Sequence, residues 1–269
     1  MKSSRSVLLA LVLSAALTVT AACDDKNDNG GDAAPAASGS SSAAASAAPK
    51  ADARKDLTDA FAKLAGGTVA YSATTESGAG TGTKLTGASD PAKQANSGSM
   101  TITAQGQQIT AEVIIVGADL YLKLGLPLPG VNPKKWMYID GSKTSLSKLG
   151  FNPDDPTNTK GFTDAIVTVE QTGAGAYKGT IDTTKRNLPA SGAALIQQMG
   201  DAAKSVPFEA TVGAEGYVTS LTVRAPAAGQ LPATTATTTF SDFGKPVSIS
   251  KPAAADVQPA PAALLAQFA

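Results

Sequence analysis

The 269-residue sequence has no histidine, one cysteine and one tryptophan. Without histidine, the commonest general base, the commonest metal ligand and the third member of most hydrolytic triads are missing. A single cysteine excludes an intramolecular disulfide, so the fold relies on packing alone. Aromatics make up 5% of the chain and charged residues 16%, with a formal charge of zero. No basic run of five or more appears, so neither nucleic acid nor an anionic membrane surface meets a basic patch. Abundant Ala, Thr, Gly and Ser suit short strands joined by tight turns.

The chain opens on an export segment. Lys2 and Arg5 precede an uncharged apolar and small-residue run from Val7 to Thr20, and Ala21-Ala22-Cys23 closes it. A run of about 14 residues is short of the roughly 20 that a permanent membrane helix needs. A small-residue site suits an ordinary signal peptidase as well, but cysteine at the first mature position after two alanines resembles the bacterial lipobox. Thr20 stands where leucine is commonest. The resemblance implies diacylglycerol on the Cys23 thiol and anchoring on the outer face of the cytoplasmic membrane. Two acyl chains supply the anchoring that one cannot, at roughly 0.8 kcal/mol per buried methylene. From Asp24 to Lys50 the sequence is Asp/Asn/Gly-rich, then Ala/Ser/Pro-rich. With almost no large apolar side chain it reads as a flexible tether, reaching on the order of 30 Å.

The expected organisation is a signal peptide over 1–22, lipidated cysteine and tether over 23–50, a folded domain over 51–252 and an Ala/Pro-rich tail over 253–269. Leu57, Phe61 and Leu64 predict a helix over Asp52–Ala65, with Asp52 as its cap and Gly66-Gly67 as its stop. The period then changes to two. Val69, Tyr71 and Ala73 alternate with polar residues, as do Met100, Ile102 and Ala104. Ile109–Val116, Leu120–Leu124 and Trp136–Ile139 continue as strands of an antiparallel meander. Ser145–Phe151 and Gly161–Val169 fit helix or strand. Tyr177–Thr184 reads as a strand and Ser191–Lys204 as a helix with Leu195, Ile196 and Met199 on one stripe. Pro207–Val212 and Tyr217–Arg224 form a hairpin, and Thr234–Phe243 with Val247–Ser250 a last strand pair. The fold class is therefore α+β: a large curved antiparallel sheet with helices covering its concave face.

Ala118-Asp119-Leu120-Tyr121-Leu122-Lys123-Leu124 and Lys135-Trp136-Met137-Tyr138-Ile139-Asp140 resemble central strands of the mycobacterial LppX/LprG lipoprotein family. Val206-Pro207-Phe208, Gly216-Tyr217-Val218-Thr219-Ser220-Leu221 and Phe240-Ser241-Asp242-Phe243-Gly244-Lys245-Pro246-Val247 resemble its closing strands. The resemblance implies a half-barrel that holds acyl chains in an apolar cavity and moves lipid or glycolipid cargo. Candidate cavity or core residues are Val113, Ile115, Leu120, Leu122, Leu124, Trp136, Leu195, Ile196, Met199, Phe208, Leu221 and Val223. Trp136 suits a ligand mouth, or more readily a core or sheet-surface place. Leu126, Leu128 and Val131, in a proline-rich loop, suit a cavity entrance, a membrane contact or ordinary packing.

Catalytic signatures are weak. Ser145 lies three before Lys148, without companion motifs. Asp154-Asp155, between Asn152-Pro153 and Pro156, reads as turn chemistry. Gly78-Ala79-Gly80-Thr81-Gly82 lacks the lysine of a phosphate loop and reads as a hairpin tip. No enzyme activity, cofactor, metal or nucleic acid is expected, and the chain is expected to be monomeric. The two function classes carried forward are a lipid carrier and a cell-envelope interaction protein that holds no small ligand.

Overall fold

The computed structural model describes residues 52–78, 80–104, 106–143, 159–186 and 190–265. The signal segment, Cys23, the tether, Ser145–Phe151 and the Asp154-Asp155 pair lie outside the described residues.

Helix α1 (Ala53–Ala65) forms where the apolar spacing predicts it, and its stripe of Leu57, Phe61 and Leu64 is buried. The Asp52 side chain makes no cap bond; its backbone carbonyl accepts from the Asp56 amide at 2.8 Å instead. At φ −107°, ψ 4° Asp52 is outside the extended conformation in which a capping carboxylate reaches back. Gly66 ends the helix.

Two antiparallel meanders follow. The first is β1 (Val69–Ser77), β2 (Thr81–Asp90), β3 (Ala95–Ala104), β4 (Gln107–Val116), β5 (Asp119–Leu124) and β6 (Trp136–Asp140). The second is β7 (Ile166–Gly173), β8 (Ala176–Ile181), β9 (Val206–Val212), β10 (Val218–Ala225) and β11 (Thr234–Ser241). Chain neighbours are sheet neighbours within each meander, through short turns or, between β5 and β6 and between β8 and β9, longer connections, and β1 pairs with β11 to join the halves. A last strand, β12 (Val257–Pro259), lies parallel to β6. The result is one open sheet of 12 strands, bounded by β12 and β7. Helices α2 (Thr159–Ala165), α3 (Ala190–Met199) and α4 (Ala262–Leu265) complete an α+β architecture.

Gly161–Val169, whose helical spacing could be strand in part, divides: α2 takes the first half and β7 the second. Other expectations are corrected. Ser191–Lys204 is α-helical only to Met199 and then tightens into a 3₁₀ turn over Gly200–Lys204. Val247–Ser250 is not a strand, because β1 and β10 already flank β11 and leave no edge for it to pair with. Over their described part, residues 253–269 pack onto the sheet. Beyond β12, Leu264 of α4 is 4% exposed.

Both edges are protected. At β7 the Arg54 guanidinium donates to the carbonyls of Ile166 (2.8 Å) and Val167 (3.0 Å), and the β7–β8 register shifts twice. Those features twist and occupy an edge that would otherwise template pairing. At the other edge β12 covers β6, and the Gln258 carboxamide exchanges bonds with the Asn132 backbone.

Candidate functional site

Alternation along each strand puts residues i and i+2 on one face, and the registers carry that face across the whole sheet. Phe208 pairs with Val223, and Ala210 with Leu221. Leu221 and Val223 pair with Thr238 and Ala236, and those two with Ala73 and Thr75. Ala73 continues through Leu85, Met100 and Ala111 to Leu124. Leu122 meets Met137, and Leu120 meets Ile139. This is a single inner face, and none of the residues just named on it is charged.

Charge lies on the other face, where Lys123–Glu112 (2.8 Å), Lys178–Glu170 (2.8 Å) and Arg224–Glu209 (2.9 Å) bridge neighbouring strands. Exposed pairs of this kind contribute at most about 1 kcal/mol each. They mark the solvent side more than they hold the fold.

Two core clusters sit at opposite ends of the inner face. The first joins α1 and α2 to β7–β11: Phe162 packs at 5.0 Å from Phe61 and edge-on at 5.1 Å to Phe208. The second gathers Ala111, Ile115, Leu120, Leu122, Leu124, Met137 and Ile139 under Ala260 and Leu264. Between them, β10, β11 and β1–β4 present a strip of half-buried side chains: Leu221, Val223, Ala236, Thr238, Ala73, Leu85, Met100 and Val113. Five strand spacings make it on the order of 24 Å wide.

The sequence-derived candidates separate on this map. Ile115, Leu120, Leu122 and Leu124 are fully packed core of the second cluster, and Phe208 of the first. Val113, Leu221 and Val223 belong to the half-buried strip, where Leu221 and Val223 pack against the first cluster and Val113, with Met100, against the second. Of the α3 stripe, Met199 packs against the first cluster, while Leu195 is half-buried and Ile196 faces an open groove of about 530 Å³ beside Thr184, Gln197 and Lys204. Trp136 lines neither cavity nor core and takes the sheet-surface place that the sequence also allows. Met137 and Ile139 take the inner positions of β6, so Trp136 lies on the outer face under the Lys123 ammonium, 4.7 Å from its ring centroid. Leu126, Leu128 and Val131 pack half-buried against the second cluster.

Sequence reasoning missed a polar notch on the inner face. Ser89, at the end of β2, faces Asn96 on β3, and both side chains are buried. The Tyr71 hydroxyl lies 3.1 Å from the Asn96 Oδ1 and 3.3 Å from the Ser97 carbonyl. Burial holds the Tyr71 phenol above its ordinary pKa, partly offset by the Asn96 bond. Small polar residues among glycines give no periodic signal, so the notch emerges only from strand register.

Outside that face, Tyr138 donates to the Asp119 Oδ1 at 2.7 Å, and Lys251 pairs with the Asp119 Oδ2. These bonds pin the C-terminal segment to β5 and β6. Among the described residues no group of three Asp, Glu, His or Cys is placed to hold a metal ion, and no helix is long and apolar enough to cross a membrane.

No family model matches this sequence, and no curated protein matches it.

Proposed function

We propose that this chain is a membrane-anchored, extracytoplasmic lipoprotein of LppX/LprG-like type that binds acyl chains along the half-buried strip of its inner face, without covalent chemistry. The observation that carries the reading is that strip: an uncharged lane of Ala, Thr, Leu, Val and Met running between two packed clusters. Burying hydrocarbon against it contributes roughly 25 cal/mol per Å² of apolar surface, enough to retain a two-chain lipid without a charged contact. In this reading the sheet is the half-barrel of the family, and the helices cover its concave face.

Cys23 carries the anchor, and the tether lets the domain face the membrane from which it takes cargo. Cys23→Ser is expected to shift the chain from the membrane fraction to the soluble fraction. Cargo is tested by native mass spectrometry with lipid extraction. Reproducible co-purified lipid, reduced in Met100→Gln and Leu85→Gln, supports carriage. A protein that stays empty when offered phospholipids and glycolipids makes the same strip a docking face for an envelope protein.

A further inference from the structure

The strand registers sort the connections of the sheet into two ends. The turns after β2, β4, β7 and β9 lie at one end, with the last residues of β6 and β11. The connections after β1, β3, β5, β8 and β10 lie at the other. Charge is concentrated at the first end. There Asp90 pairs with Lys93, Asp119 with Lys251, Asp140 with Lys143 and Asp242 with Lys245. Taking such groups out of water is costly, so this end favours solvent.

The second end carries two charge-poor loops that bracket the strip. Residues 226–233 join β10 to β11 without a charged side chain, and residues 125–135 join β5 to β6 with only Lys134 and Lys135. Leu126, Leu128 and Val131 pack against the second cluster and Leu231 is buried, which leaves Pro127, Pro129, Pro133, Pro226 and Ala227 exposed. Proline has no N–H to desolvate, so these loops enter a headgroup layer at less cost than ordinary turns. Val167, 46% exposed, adds an apolar side chain at this end, near the start of β7. The acidic groups here lie to one side, around α1, α2 and the β8–β9 connection. Among them Asp164 pairs with Lys160, Asp201 pairs with Lys204, and Asp182 accepts from the Thr184 amide. Glu76, near the end of β1, alternates with the inner Ala73 and Thr75 and so lies on the outer face.

Helix α1 fixes which end an anchor reaches. Lys63, in its last turn, donates to the Glu215 carbonyl in the β9–β10 turn, at the charged end. Arg54, in its first turn, donates to the Ile166 and Val167 carbonyls at the charge-poor end. Asp52, and with it the chain leading back to Cys23, therefore joins the domain at the charge-poor end. An acylated Cys23 holds that end nearest the bilayer.

We infer that the charge-poor end docks on a phospholipid bilayer, with the 125–135 and 226–233 loops in the headgroup layer and Lys134 and Lys135 at lipid phosphates. The inference rests on the membrane-anchored reading above and adds the surface that meets the membrane. The strip, lying between the two loops, then faces the source of acyl chains.

The test uses the full chain with Trp136→Phe, which removes the only tryptophan. Into it is introduced Pro129→Trp, Ala227→Trp or, in the β7–β8 turn at the charged end, Ala174→Trp; all three positions are exposed. Each purified chain is combined with phosphatidylcholine–phosphatidylglycerol vesicles whose acyl chains are brominated, and bound chain is recovered by flotation. Floated Pro129→Trp and Ala227→Trp chains are expected to lose at least about half of their emission to bromine, and Ala174→Trp to keep its own. Pro133→Trp replaces Pro129→Trp if the latter lowers the melting temperature. Quenching that is absent at either loop, or as strong at 174, overturns the docking face and leaves the anchor standing. Chains that do not float overturn both.

Discussion

Tyr71 sits directly over Gly87: a β-carbon added to Gly87 would come within 2.5 Å of the Tyr71 ring and hydroxyl. Glycine at 87 is therefore a packing requirement, set by the Ser97 backbone carbonyl, 2.3 Å from that β-carbon position, and by an aromatic side chain reaching across the sheet from the neighbouring strand to Asn96. Gly87→Val is expected to cost about 1–3 kcal/mol or more, the range for forcing extra atoms into a packed site. A urea melt of the variant that overlays the wild-type curve would contradict this packing.

Leu122 and Met100 share the inner face but not its environment. Leu122 is 4% exposed within the second cluster, so Leu122→Asp places an unpaired carboxylate in the core and is expected to unfold that end of the sheet. Met100 is half-buried on the strip, and Met100→Gln is expected to keep a cooperative melt while losing bound lipid. Circular dichroism melts alongside lipid extraction separate the two effects.

The C-terminal residues are structural. Leu264→Ala is expected to cost about 2–5 kcal/mol, as for other buried leucines, because Leu264 closes the second cluster over Leu122 and Met137. Removing residues 253–269 adds an exposed β6 edge to that loss and is expected to promote aggregation. Light scattering of the truncated chain at its melting onset checks this, and a fully monomeric, equally stable product would count against it.

The Asp119 cluster makes stability fall at both pH extremes. The Lys251 and then the Tyr138 hydrogen bonds hold the Asp119 carboxyl below its ordinary value, so their contribution is present above the unfolded carboxylate range and is lost as pH falls through the lowered value. The Asp119 bond pushes the Tyr138 phenol up to about 12, so that part is present below the ordinary phenol pKa of about 10 and is lost as pH rises through about 12. Lys251, raised mainly by its Asp119 bond, changes in the same alkaline direction. The melting-temperature gap between wild type and Asp119→Asn is expected to be constant from about pH 5 to 9 and to shrink on either side. A gap that does not vary with pH would rule out this linkage.

The parts of this fold legible in the sequence are those where large apolar residues keep a clean period. Leu57, Phe61 and Leu64 mark α1, and Leu120, Leu122 and Leu124 mark β5 and its buried face. Strand β2 is harder to see because its inward positions are Thr83, Leu85, Gly87 and Ser89, which give alternation only one strong term. Strand β12 is hidden for another reason: three residues in an Ala/Pro-rich run form a strand only because β6 offers a free edge. The same edge logic removes the expected strand at Val247–Ser250. Trp136 was assignable to a face only through register, since Met137 and Ile139 are equally apolar neighbours. The strip and the notch are properties of six strands together, and no single stretch of sequence contains them.

On the proposed reading the half-buried strip holds acyl chains. The most direct test is native mass spectrometry of the purified full chain with lipid extraction, comparing wild type with Met100→Gln. A reproducible lipid mass on the wild-type chain, absent or strongly reduced in a folded Met100→Gln, is the predicted result. A wild-type chain that carries no lipid and takes up none from phospholipid or glycolipid vesicles would contradict it.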